Sequence, residues 1–138
     1  ENLPYLYGQL LKAADELHEL YCDVVRDGQK PQELVGSSMF RSVSESPLRM
    51  LPVLSQRIMP YYAWAKVYRR KSDNENKKHA ARAGWLYRVC EQITTRLWNS
   101  QTVPSRFNDE EKAQLVIGYL ASFSEKEMKL EEESNHES

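Results

Sequence analysis

Cysteine and glycine are scarce in this 138-residue chain, and long apolar runs are missing. Its two cysteines, Cys22 and Cys90, lie far apart in helical patterns and have no metal-ligand spacing. A disulfide framework and a zinc site therefore both lack a basis, and two buried thiols in a reducing compartment are expected. No stretch approaches the roughly 18 apolar residues that cross a bilayer, and no secretory leader is visible. A cytoplasmic location and no membrane partner are expected. The chain starts at Glu1 without a methionine, so a trimmed or processed part of something longer is expected.

Catalytic signatures are missing as well. There is no glycine-rich phosphate loop, no G-x-S-x-G elbow and no H-E-x-x-H pair. The three histidines are His18, His79 and His136. His18 and Cys22 stand one helical turn apart, but two ligands do not complete a zinc site. The acidic run Asp109-Glu110-Glu111 sits at an expected helix start, where the helix dipole accounts for it. The expectation is a non-enzymatic protein with no catalytic residue, no metal and no cofactor.

What is present is helical periodicity. Leu3, Leu6, Leu10, Ala13, Leu17, Leu20 and Val24 recur at steps of three and four, a stripe that Gly28 and Pro31 end. Asp15, Glu16, Glu19 and Asp23 fall on its other face and are expected to be solvated. Residues 32–46 suggest short helical turns, with Met39, Phe40 and Val43 pointing inward. Ser46-Pro47 opens a second long helix, serine as cap and proline in the first turn. Its stripe runs through Leu48, Leu51, Leu54, Ile58, Tyr61, Ala65 and Tyr68. Pro60 is expected to kink or divide it.

A third helix is predicted from about Lys77 to Asn99, with Leu86, Val89, Ile93 and Leu97 inward. Asn108 and Glu111 have capping-box spacing at the start of a fourth. There Ala113, Val116, Ile117 and Leu120 are expected to face the core. No segment alternates as a strand would. The predicted fold is all-α: a helical bundle of four main helices plus short helical turns over residues 1–123. Residues 124–138 are a charged, acidic tail or an extension of the last helix.

The formal net charge of −1 conceals a strong segregation. Residues 1–40 have a net charge of −4 and residues 108–138 of −6, whereas residues 41–107 hold thirteen basic and four acidic side chains, or +9. Lys66, Arg69 and Arg70 share a helix face, Lys71 follows, and Lys77, Lys78 and Arg82 begin the next helix. A hairpin would gather both groups at one end of the bundle. Arg49, Arg57 and Arg88 form a second tier of candidates, and Arg41, Arg96 and Arg106 add to the charge. Such a surface suits phosphates followed without sequence reading. The other readings are a solvated helix surface, pairing with acidic ends of neighbouring copies, and a helical protein–protein adaptor whose basic block meets an acidic partner. Among the interleaved aromatics Tyr61, Tyr62, Trp64, Tyr68, Trp85 and Tyr87, those on apolar stripes (Tyr61, Tyr68 and Trp85) are expected in the core rather than stacked on bases.

Three stretches resemble the C-terminal helical region of the large subunit of the type I-C CRISPR interference (Cascade) complex. They are Tyr5-Leu6-Tyr7-Gly8-Gln9-Leu10-Leu11, the run from Ser42 through Ser46-Pro47-Leu48-Arg49-Met50-Leu51-Pro52 to Leu54, and Gln114-Leu115-Val116-Ile117-Gly118-Tyr119. Their order and spacing agree over about residues 4–121. The family makes this region also as a separate small subunit. The resemblance implies a non-catalytic helical bundle inside a crRNA-guided complex. It would stabilise the R-loop through contacts with the target and displaced DNA strands. Its partners would be the crRNA-containing complex, the backbone and large subunits, and further copies of itself. Guide pairing would read the target.

Overall fold

The computed structural model describes residues 2–123 other than 72, 74 and 101, so the expected acidic tail, 124–138, lies outside the described residues. Six helices occur among the described residues and no strand: α1 (Leu3–Val25), α2 (Val35–Ser38), α3 (Phe40–Glu45), α4 (Pro47–Tyr68), α5 (Lys77–Trp98) and α6 (Asp109–Leu120). This is the expected all-α bundle, four long helices with two short ones between the first and second.

The helix starts follow local chemistry. Asn2 caps α1, its side-chain oxygen accepting the Tyr5 N–H at 3.3 Å, with Pro4 in the first turn. Asn108 accepts the Glu111 N–H at 2.8 Å while Glu111 accepts the Asn108 N–H at 2.9 Å, a complete capping box. Ser46 behaves otherwise. It occupies the cap position of α4 but makes no side-chain capping bond. Pro47 brings no N–H to the first turn, so fewer donors there need an acceptor.

Pro60 does not divide α4, which runs unbroken from Pro47 to Tyr68. Pro52 and Pro60 are eight residues apart, close to a whole number of turns, and both are exposed. The carbonyls four residues earlier, on Leu48 and Gln56, fall on the same outer face and can turn to water.

The bundle is organised around α1, which packs against α6, α5, α4 and α2. Leu6, Tyr7, Leu10, Leu11, Ala14 and Leu17 are buried, and so are Gln9, Asp15 and His18 on its other sides. The expectation that Asp15 is solvated therefore fails. The short α2 and the end of α6 cover it. Its carboxylate accepts the Ser37 N–H at 2.9 Å and both the Ser37 and Tyr119 hydroxyls at 2.5 Å. A buried carboxylate persists when its lone pairs are used in this way. His18 Nδ1 likewise accepts the Val35 N–H at 3.0 Å, and the imidazole stacks on Tyr61 with 4.4 Å between ring centres.

The contact of α1 with α6 is made backbone to backbone. A Cβ on Gly8 would overlap the Leu115 carbonyl oxygen, and one on Gly118 would overlap the Tyr5 carbonyl oxygen. Gln9 Nε2 donates to the Gly118 carbonyl and, at 3.1 Å, to that of Ala121. Lys12 Nζ donates to the Ala121 carbonyl at 2.5 Å and lies over the Phe123 ring, 4.8 Å from its centre. The carbonyl end of α6 is thus closed by two side chains of α1.

This crossing overturns the expected inner face of α6. Leu115 and Gly118 are its buried residues, whereas Val116 and Ile117 are 42% and 49% exposed and Leu120 is 73% exposed. Ala113 is exposed as well. Helices pressed together at glycine leave room between them only for residues near the contact line, so the larger apolar face turns outward.

Gly8→Ala and Gly118→Ala are expected to destabilise the fold. Alanine gains up to about 1 kcal/mol of helix propensity over glycine, but overlap with backbone cannot be relieved by a rotamer change and costs about 1–3 kcal/mol. At Gly84 a Cβ would meet its nearest atoms at 3.5 Å, an ordinary contact. Gly84→Ala is therefore expected to stabilise by a few tenths to about 1 kcal/mol. Urea midpoints moving in opposite directions for these sites are the check.

The His18 contact generates a pH dependence. Burial lowers the His18 pKa from 6.5, with Asp15 pulling the other way. The depressed value means that unfolding takes up a proton, so this contribution is complete above pH 6.5 and is lost as pH falls through the folded value. The slope is at most about 1.4 kcal/mol per pH unit. His18→Asn keeps an acceptor for Val35 and does not titrate, so its denaturation midpoint should vary less with pH below neutrality. An unchanged pH slope would assign the dependence elsewhere.

Candidate nucleic-acid interface

α4 and α5 form an antiparallel hairpin. Ser55 stands opposite Trp98 at one end, Tyr62 opposite Glu91 in the middle and Tyr68 opposite Asn76 at the other. The turn end is held by the Tyr68 hydroxyl, which donates to Asn76 Oδ1 at 2.8 Å. Asn76 in turn donates its backbone and side-chain N–H groups to Asp73 Oδ1 at 3.0 and 2.7 Å. Both basic groups are therefore anchored at one end of the bundle.

Arg69 is held in place within the cluster. Its guanidinium lies over the Tyr87 ring, 4.4 Å from the centre, and its Nε donates to the Lys66 carbonyl at 3.1 Å. A guanidinium on an aromatic face keeps its outer N–H groups available for a planar anion. Arg69, Arg70 and Arg88 line an open cleft of about 440 Å³ over Ala80, Ala81 and Gly84. Lys66, Arg70, Lys71 and Lys77 are exposed around it. On α5, Lys77, Ala81, Gly84 and Arg88 follow at steps of four, three and four, and so share one face. Two small residues between two cations let an extended polyanion approach the helix backbone.

The remaining sequence candidates lie apart from this cleft. Lys78 and Arg82, one turn apart, occupy the side of α5 nearer α1, where Arg82 Nη2 pairs with Glu16 Oε1 at 3.1 Å. Arg57 is nine residues from Lys66, half a rotation around α4. Arg49 is twenty residues from Arg69, about 30 Å along the axis. Arg106 belongs to another group, pairing with Glu45 Oε2 at 3.7 Å beside Lys112, which pairs with Glu45 Oε1 at 3.3 Å. The cleft thus brings together Lys66, Arg69, Arg70, Lys71, Lys77 and Arg88. It leaves Lys78 and Arg82 on a flank, and Arg49 and Arg57 elsewhere.

The interleaved aromatics are used internally. Tyr61 stacks on His18, Tyr62 on Tyr87 and Trp64 on Tyr68, with ring centres 4.4, 4.6 and 4.9 Å apart. Tyr87 is closed by Arg69 on one side and Tyr62 on the other. Burial, together with the Tyr87 and Glu91 contacts, holds the Tyr62 hydroxyl pKa well above the ordinary phenol value. It therefore stays a donor, to Glu91 Oε2 at 3.1 Å.

Sequence reasoning missed the other end of the hairpin. Ser55, Met59, Tyr62, Glu91, Thr95 and Trp98 border a mainly apolar groove of about 420 Å³ between α4 and α5. Trp98 is 52% and Met59 54% exposed. The available signal was position: Trp98 follows the buried Leu97 and so stands off the apolar stripe. Cys90 is buried at the groove, and burial pushes its thiol pKa up to about 12, far from a reactive thiolate.

Among the described residues, no three His, Cys, Asp or Glu side chains are grouped as metal ligands, and no helix is long and apolar enough to cross a membrane. Comparison with family models, curated proteins and solved structures finds no match to this chain.

Proposed function

We propose that this chain is a non-catalytic, DNA-binding helical subunit that holds nucleic-acid backbone at the junction of α4 and α5. The observation that carries this reading is the cleft lined by Arg69, Arg70 and Arg88, with Lys66, Lys71 and Lys77 exposed around it. Residues 66–78 hold six basic and two acidic side chains, and Asp73 Oδ1 accepts two N–H groups of Asn76 at the turn. Arginines presented from two helices position phosphates without reading bases.

The finer reading rests on the sequence resemblance. In it the chain is the small subunit, or the equivalent C-terminal region of the large subunit, of a type I-C CRISPR surveillance complex in the cytoplasm. It steadies the R-loop against the target or displaced strand while the guide reads the sequence. Its partners are the crRNA-containing complex, its backbone and large subunits, and further copies of this chain. A second reading, a helical protein–protein adaptor, is favoured by the outward apolar face of α6. A scaffold subunit uses both surfaces, so the two readings differ in what the basic cleft meets.

Binding of the full chain to single-stranded and R-loop DNA over a salt series tests the proposal. Log affinity should fall linearly with log salt, by about 0.7 per phosphate neutralised on a single strand and about 0.9 on duplex. Joint replacement of Arg70, Lys71 and Lys77 by glutamate should weaken binding and reduce that slope by about 2 or more. These side chains are exposed, so the thermal midpoint should stay close to that of the parent. Unchanged DNA affinity in the variant would reject the cleft. Binding to acidic protein but not DNA would establish the adaptor instead.

A further inference from the structure

We propose that the α4–α5 seam continues beyond the arginine cleft as a base-binding groove, so that the ligand held there is a single strand with unstacked bases. The inference rests on the phosphate-binding reading of the cleft and adds the part of the ligand that reading leaves unplaced.

One seam carries both features. Arg69, Arg70 and Arg88 lie toward the turn, and the apolar groove bordered by Met59, Tyr62 and Trp98 lies toward the open end. Arg88 and Trp98 are ten residues apart on α5, about 15 Å, a few nucleotide steps along a strand. The groove's volume of about 420 Å³ accommodates a planar heterocycle. Its lining supplies what an unstacked base needs: a half-exposed indole, a thioether, and the hydroxyls of Thr94 and Thr95. The indole N–H of Trp98 points to Ser55 Oγ at 3.4 Å, which orients the ring across the seam.

Charge decides the direction in which a strand lies. Glu91 is part of the groove lining, where its carboxylate receives the Tyr62 hydroxyl. A phosphate is repelled there and attracted by the guanidinium groups at the turn. Phosphates therefore sit over the arginines, and a nucleotide a few steps along turns its base into the groove at the tryptophan end and its own phosphate outward, away from Glu91. Tyr62 and Tyr87, the rings between the two features, pack on each other, and Tyr87 also on Arg69. Duplex DNA presents no unstacked base, so the groove distinguishes single strands from duplex by shape, without reading sequence.

The test compares two oligonucleotides of equal length and charge, an oligodeoxycytidylate and its abasic counterpart, by anisotropy with the full chain. The base-bearing strand should bind about tenfold more tightly. Trp98→Ala should remove most of that ratio without changing the salt slope, and Trp98→Phe should retain most of it. Met59→Ala, which leaves the indole in place, should reduce it in part. Equal, salt-dependent affinity for the two strands would overturn the groove while leaving the phosphate cleft standing. The same holds for a ratio that survives both Trp98→Ala and Met59→Ala. Failure of either strand to bind would overturn the cleft and the groove together.

Discussion

The close approach of α1 and α6 at Gly8 and Gly118 is the constraint on which the rest of the bundle depends. Each glycine lies against a backbone carbonyl of the other helix, from Leu115 and Tyr5 respectively. With the axes so close, Gln9 and Lys12 reach the last carbonyls of α6, and the Tyr119 hydroxyl reaches Asp15. Asp15 in turn fixes Ser37 on α2. A chain of hydrogen bonds thus runs from α6 through the centre of α1 to the segment that leads into α4. The Tyr7 hydroxyl closes the circuit by donating to the Pro47 carbonyl at 2.8 Å, where α4 begins.

The three stretches that carry the sequence resemblance meet in this arrangement. Tyr5 and Gly8 touch Gly118, and Tyr7 touches Pro47. Their residues have an immediate physical use as a packing core that joins α1, the start of α4 and α6. The arginine cleft, by contrast, is built from residues outside those stretches. Fold and binding surface are therefore separable, with the glycine crossing at one side of α1 and the cationic hairpin at another.

Much of the fold was legible because local chemistry determines it. The capping box of α6 and the stripe from Leu3 to Val24 need no tertiary information. Other features were not legible. Spacing identified an apolar face on α6 through Val116, Ile117 and Leu120, but spacing cannot say whether the protein's own core covers such a face. Only the backbone contact at Gly118 decides that. Asp15 falls at a polar helical angle, which predicts solvent, but α2 and Tyr119 close over that angle. Pro60 suggests a kink or a division of α4, but the helix is not divided, and the eight-residue spacing from Pro52 puts both rings on the outside. At the candidate site, Lys66, Arg69, Arg70, Lys71 and Lys77 came together because they flank one turn. Lys78 and Arg82 fell on the neighbouring face because consecutive residues of a helix differ by about 100°. For Trp98, spacing shows only that it stands off the apolar stripe, not that a groove opens beside it.

The buried thiol of Cys90 gives this hairpin its own kinetic reporter. With its pKa raised to about 12 and its sulfur at the interface of α4 and α5, it is chemically silent while the seam is closed. Alkylation of Cys90 therefore measures how often α4 separates from α5. A ligand that holds both helices together would lengthen the lifetime of this thiol.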